Sequence, residues 1–219
     1  MATDAQAVAT ASERPALRGV LHLVAAFLAI GGTVLLLVVA DSPSGYVGGA
    51  VFASSLMLLY GTSATYHQVR WRQSWHHVVK RLDHAMIFVL IAGTYTPFCL
   101  DVSVAWGISL LAVVWSLAGA GIVLKLVWPD GPRWLSVALY VGLGWVAIVA
   151  ASEVVDRYLG SALALLLLGG ALYTIGGIIY ALRRPDPWPR VFGYHEVFHA
   201  FVVAGSAVHY AAIAAYVVS

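Results

Sequence analysis

Leu17-Arg-Gly-Val-Leu-His-Leu-Val-Ala-Ala-Phe-Leu-Ala-Ile-Gly-Gly-Thr-Val-Leu-Leu-Leu-Val-Val-Ala40 is the first of seven apolar runs in the chain. A bilayer crossing needs about 20 apolar residues in a helix, and this run supplies them. It is also longer than the apolar core of a secretory signal, about 7–15 residues, so it reads as a first membrane span. The other runs lie at about Tyr46–Tyr66, Asp83–Leu100, Val104–Val127, Trp134–Ala151, Leu159–Leu182 and His195–Val218. Turn and charge signals separate them, such as Asp41-Ser-Pro-Ser-Gly45, Pro129-Asp-Gly-Pro132 and Arg183-Arg-Pro-Asp-Pro-Trp-Pro189. Pro97 is expected to kink the third run near its end.

Composition agrees with this reading. Hydrophobic residues make up 61% and charged residues 10% of the chain, where a soluble domain carries roughly 25% charged residues. Mean hydropathy is +0.87. The expected fold is an all-α integral membrane bundle of seven transmembrane helices over residues 17–219, preceded by a disordered tail at 1–16. A net charge of +2 gives no reason to expect a nucleic-acid partner. Cys99 is the only cysteine, which excludes an internal disulfide and a Cys-rich metal site.

Basic residues give the orientation. Of the 12 Lys and Arg residues, all but Arg157 fall on one side of a seven-span arrangement. Basic loops stay in the cytoplasm, so the N-terminus is expected there and the C-terminus outside. Between the second and third runs, Trp71, Trp75, Val78, Val79 and Leu82 recur at helical spacing among basic residues. Two readings stay open for residues 68–82. One is a short helix on the inner membrane surface, against anionic lipid. The other is a solvated loop that only sets topology.

Ionisable residues inside membrane spans are costly and mark function by default. His67 ends the second run, Asp83 begins the third, and His195 and His199 open the seventh. The topology places all four at one depth, on the cytoplasmic side. His195 and His199 stand four apart, so both project from one helix face, roughly 5–6 Å apart at Cβ. That spacing suits a shared metal. Three imidazoles with one open position make a catalytic zinc arrangement, and imidazole suits zinc. The alternatives are ordinary ones. His67 can be an interfacial histidine, and Asp83 a helix cap or a partner of Arg81. His76 and His77 fall in the basic loop, and His84 turns about 100° from Asp83. The residues alone assign no role to His22 or His209.

The segments Ser63-Ala-Thr-Tyr-His67, Arg81-Leu-Asp83-His84, Ile91-Ala-Gly-Thr-Tyr-Thr-Pro-Phe98 and His195-Glu-Val-Phe-His199 together resemble the hemolysin III family. That family is related to the progestin and adipoQ receptors, in a wider group that includes alkaline ceramidases. The resemblance covers nearly the whole chain. It implies a seven-helix bundle with Zn2+ near the cytoplasmic face, held by His67, His195 and His199. It also implies Asp83 near the metal's water and Ser63 close behind. Many members carry an acidic, Asn-bearing stretch before the first span, where this chain has Arg14-Pro-Ala-Leu-Arg-Gly-Val-Leu-His22. Roles attached to that stretch do not transfer.

His195-Glu-Val-Phe-His199 also reads H-E-x-x-H, in which the glutamate of a zinc protease is the general base. The extended protease motif fails, because the tenth residue after His195 is Gly205. Asp130 is a remote alternative ligand, and Glu196 a base candidate ranked below Asp83. The expected function is zinc-dependent hydrolysis of an amide- or ester-linked membrane lipid in membrane homeostasis, with Asp83 and Ser63 as the catalytic residues. The rival classes are a zinc-stabilised receptor or structural protein, a pore-forming cytolysin and an intramembrane protease. No protein partner is legible.

Overall fold

The computed structural model describes residues 15–158 and 160–218. The tail expected at residues 1–16 therefore lies outside the described residues up to residue 14. The described residues form α1 (Val20–Val39), α2 (Pro43–Gln68), α3 (Gln73–Asp101), α4 (Val104–Val127), α5 (Arg133–Gly144), a 3-10 segment (Val146–Ala150), α6 (Ala151–Arg157), α7 (Ser161–Leu182) and α8 (Tyr194–Tyr216). Six of these helices are long and apolar enough to cross a membrane, and Arg133–Val149 forms a shorter apolar stretch.

Large apolar side chains cover the outside of the bundle. On α1, Phe27 is 67% and Val38 75% exposed, while Leu36 is fully buried. A surface of that kind belongs in hydrocarbon, so this is a multi-pass membrane protein. Helix α8 packs on α7 and also touches α1, α2 and α3. It is therefore placed to bring residues from four other helices together. One apolar core, built around Phe52, Leu56, Tyr60 and Ile213, joins α1, α2, α3 and α8. A second, around Phe88, Val114 and Leu143, joins α3, α4 and α5.

The third helix departs from the sequence expectation. It begins at Gln73, so the helical spacing from Trp75 to Leu82 is the first part of α3 rather than a separate surface helix. Asp83 consequently lies well inside a helix, which rules out the N-cap reading. The helix also runs through Pro97 to Asp101. Pro97 packs against Gly48 of α2, where a Cβ would meet the Pro97 Cα at 2.7 Å.

Tyr95, from the Gly-Thr-Tyr-Thr-Pro-Phe segment, braces the break where α5 ends at Gly144. The Tyr95 hydroxyl donates to the Gly144 carbonyl at 2.7 Å and accepts from the Ala147 N–H at 2.9 Å. Those are backbone groups that the break between α5 and the 3-10 segment would leave unpaired. The Trp145 indole N–H, at the same break, donates to Thr174 of α7 at 3.0 Å. At the C-terminal end of α3, Arg157 pairs with Asp101 at 2.9 Å, and Tyr158 donates to the same carboxylate at 2.7 Å.

Candidate metal centre

Helix α2 carries Ser63 and His67 one turn apart, and α8 carries His195 and His199 one turn apart. These helices converge where α2 ends and α8 begins. One ring nitrogen from each of His67, His195 and His199 lies within 4.8 Å of the other two, with His199 buried and the others half-buried. His67 Nε2 and His195 Nε2 are 3.3 Å apart. The ring centroids of His195 and His199 are 4.4 Å apart. Nitrogen donors this close, with no carboxylate in the cluster among the described residues, suit a metal ion that prefers imidazole. The buried Nδ1 of His199 has no hydrogen-bond partner, an unmet donor or acceptor of the kind a metal site relieves.

Residues distant in sequence complete the arrangement. His22 of α1 is buried, and its Nδ1 is 2.8 Å from the Ser63 hydroxyl. Its ring stacks on His199 with centroids 3.6 Å apart and planes within 9°. Asp83 of α3 is buried, and Ser63 is its side-chain neighbour. Ser63, Asp83, His195 and His199 line one cavity of about 880 Å³. Leu90, Ile91, Phe98, Val141 and Leu166 give it apolar walls, and His209 lines it as well. The His209 ring packs on Tyr173, and its Nε2 lies 3.3 Å from the Leu166 carbonyl oxygen. Its volume is that of a small-molecule site.

The start of α8 is held by a strap from the N-terminal side. Ala16 and Leu17 N–H groups donate to the Arg190 and Val191 carbonyls at 2.9 and 3.0 Å. Arg18 pairs with Glu196 at 2.7 Å, and the other Glu196 oxygen accepts the Gly193 N–H at 2.8 Å. Gly19, with φ +78°, turns the chain into α1, and a side chain there would collide with His67. Glu196 thus caps α8. With both oxygens engaged and the residue 1% exposed, it is poorly placed as a general base. Asp130 instead pairs with Lys80 at 3.1 Å and lies outside the three-histidine cluster. His76 and His77 stand in the first turn of α3, and His84 lines the cavity beside Asp83.

Sequence reasoning missed three contributors: His22, Arg18 and the capping role of Glu196. Glu196 had a local signal, an acidic third residue after the Gly193 cap. His22 had none, because its partner Ser63 is 41 residues away.

The model of the family described as "Haemolysin-III related" matches residues 10–210. The chain is 35% identical over 190 residues to the Hemolysin-3 homolog of Bacillus subtilis (strain 168), covering 85% of this chain and 86% of that one. It is 33% identical over 204 residues to Hemolysin-3 of Bacillus cereus, covering 90% and 88%. A more distant relative is the human Monocyte to macrophage differentiation factor, 22% identical over 196 residues, covering 84% and 76%.

Proposed function

The chain belongs to the haemolysin-III related family, and from that premise we propose that it is a seven-span, zinc-dependent hydrolase of an amide- or ester-linked membrane lipid. The observation that carries the proposal is the triad of imidazole nitrogens within 4.8 Å, set beside a cavity that Asp83 and Ser63 also line. His67, His195 and His199 would hold the ion. Bound zinc supplies Lewis acidity, polarising a carbonyl and making a water acidic near pH 7.

The chain's own groups divide the remaining work. The apolar walls take an acyl chain out of the bilayer and bring its carbonyl to the end of the cavity with the histidines. Asp83 takes a proton from the attacking water and returns it to the departing amine or alcohol as the acyl bond breaks. Ser63, fixed by His22, orients the carbonyl or the water. This division predicts that His22→Phe, which keeps a ring on His199 but loses the 2.8 Å bond to Ser63, retains zinc and loses about tenfold in rate, the worth of one hydrogen bond. Initial rates and metal content, measured on the same preparation, check it.

The seven-span count rests on α5 and the 3-10 segment acting as the fifth crossing. Their 12 and 5 residues reach about 28 Å at the rise of each helix type, close to the roughly 30 Å of hydrocarbon. With the basic residues on one side, the N-terminus lies in the cytoplasm and the C-terminus outside. Reporter fusions after Leu182 should then be cytoplasmic, and fusions after Ser219 external; the same side for both would remove one span from the count. The exposed Trp75, Val78 and Leu82 of α3, with the exposed Arg70 and Arg72 just before the helix, rest against anionic lipid of the inner leaflet.

A second reading has its own support. An ion shared by His67 of α2 and the histidines of α8 would also clamp the two helices, as in a receptor-like or structural protein without turnover. Assaying amide- and ester-linked lipids for released fatty acid separates the readings. No release by folded, zinc-loaded protein favours the clamp. Cytolysis, which the names of the Bacillus relatives suggest, predicts membrane lysis that survives loss of the histidines.

A further inference from the structure

The same cavity has a cationic side that the hydrolytic reading does not use. Lys125, in the last turn of α4, is 5% exposed. Its ammonium donates to the Ser136 hydroxyl of α5, and among the described residues no carboxylate forms an ion pair with it. Lys80, Lys125, Asp130 and Arg133 all line the cavity. Asp83, Glu153 and Arg183 line it too, but among the described residues the only ion pair that Lys80, Lys125 and Arg133 make is that of Lys80 with Asp130, at 3.1 Å. The Lys80 hydrogen bond keeps the Asp130 carboxyl below the ordinary carboxylate range, so it stays charged beside Lys80. Arg133 is oriented by the Tyr180 ring, 5.0 Å beneath its guanidinium carbon.

We propose that Lys80, Lys125 and Arg133 form a binding site for the anionic headgroup of a lipid, a phosphate group seated at the α4–α5 mouth of the cavity. A basic residue that serves only membrane topology reaches outward to the headgroup layer. Lys125 turns inward instead and is buried with a neutral partner, which is costly unless an anion joins it. Lys80 precedes Asp83 by three residues on α3, one helical turn and roughly 4.5 Å along the axis. A phosphate at Lys80 and Lys125 thus stands a few bonds from a carbonyl at Asp83. That is the relation between headgroup phosphate and nearest acyl carbonyl in a glycerophospholipid. The site therefore narrows the substrate class to acidic phospholipids over neutral sphingolipids. That last step rests on the hydrolase reading; the binding itself does not.

Binding to the full-length protein in detergent, followed by native mass spectrometry, tests the site without any turnover. Probes are a phosphatidic acid, a phosphatidylglycerol, a phosphatidylcholine and inorganic phosphate. Both acidic lipids should bind about tenfold or more tightly than phosphatidylcholine, as expected of one charge-assisted hydrogen bond. Lys125→Met and Lys80→Met should each erase most of that preference, while Arg184→Gln, at an exposed position outside the cavity, should leave it intact. Equal binding of acidic and zwitterionic lipids overturns the proposal. So does a preference that survives both lysine changes in protein with unaltered melting, or one abolished by Arg184→Gln. Competition by inorganic phosphate as strong as by the lipids overturns the lipid assignment. Acidic-lipid binding without fatty-acid release would refute hydrolysis alone, and release without headgroup preference would refute this site alone.

Discussion

Asp83→Asn should lower fatty-acid release roughly 10²–10⁴-fold, the range general-base catalysis supplies, while zinc content and melting temperature stay close to the parent's. Asp83 is buried within α3 and lines the cavity with Ser63, His195 and His199. It is not among the three close nitrogen donors, so losing its charge should not release the ion. Asn has nearly the same shape but cannot take a proton. Burying a neutral amide is also less costly than burying a carboxylate, which removes destabilisation as an expected cause of lost activity. The assay presents detergent-solubilised parent and variant with amide- and ester-linked lipids and follows released fatty acid. A fall in zinc content or melting temperature equal to the fall in rate would make Asp83 a structural residue.

His199→Ala should reduce bound zinc from about one ion per chain to a small fraction of that, because three-imidazole sites have no spare ligand. The residue is 3% exposed and lies within 4.8 Å of both other donors. Its loss also removes the ring on which His22 stacks, so the pair formed by His22 and Ser63 loses its support. His77→Ala, on an exposed position in the first turn of α3, is the matched control and should leave zinc unchanged. Elemental analysis of the two variants beside the parent gives the comparison. Equal zinc in His199→Ala and the parent would remove this site from consideration.

Much of the bundle was legible because lipid imposes a simple rule: a span must be apolar and long. The fourth run, Val104–Val127, coincides with α4, and the first and sixth differ from α1 and α7 only at their ends. Where the rule says nothing, the reading failed. Hydropathy marks the membrane rather than the helix, so the polar first turns of α3, from Gln73, read as a separate segment. The break after Gly144 carries no proline; it depends on the Tyr95 hydroxyl from another helix, a contact 49 residues away in sequence. His67, His195 and His199 could be gathered from topology because all three sit at helix ends on one side. His22 stands inside an apolar run, and only the packing of α1 against α2 brings it to Ser63.

The most direct measurement is an anomalous difference map at the zinc edge from crystals of the purified protein supplied with zinc. It should show one peak among the imidazoles of His67, His195 and His199, at the roughly 2.0–2.1 Å nitrogen distances of zinc sites. Folded protein with no peak there, or with its zinc bound elsewhere, would contradict it.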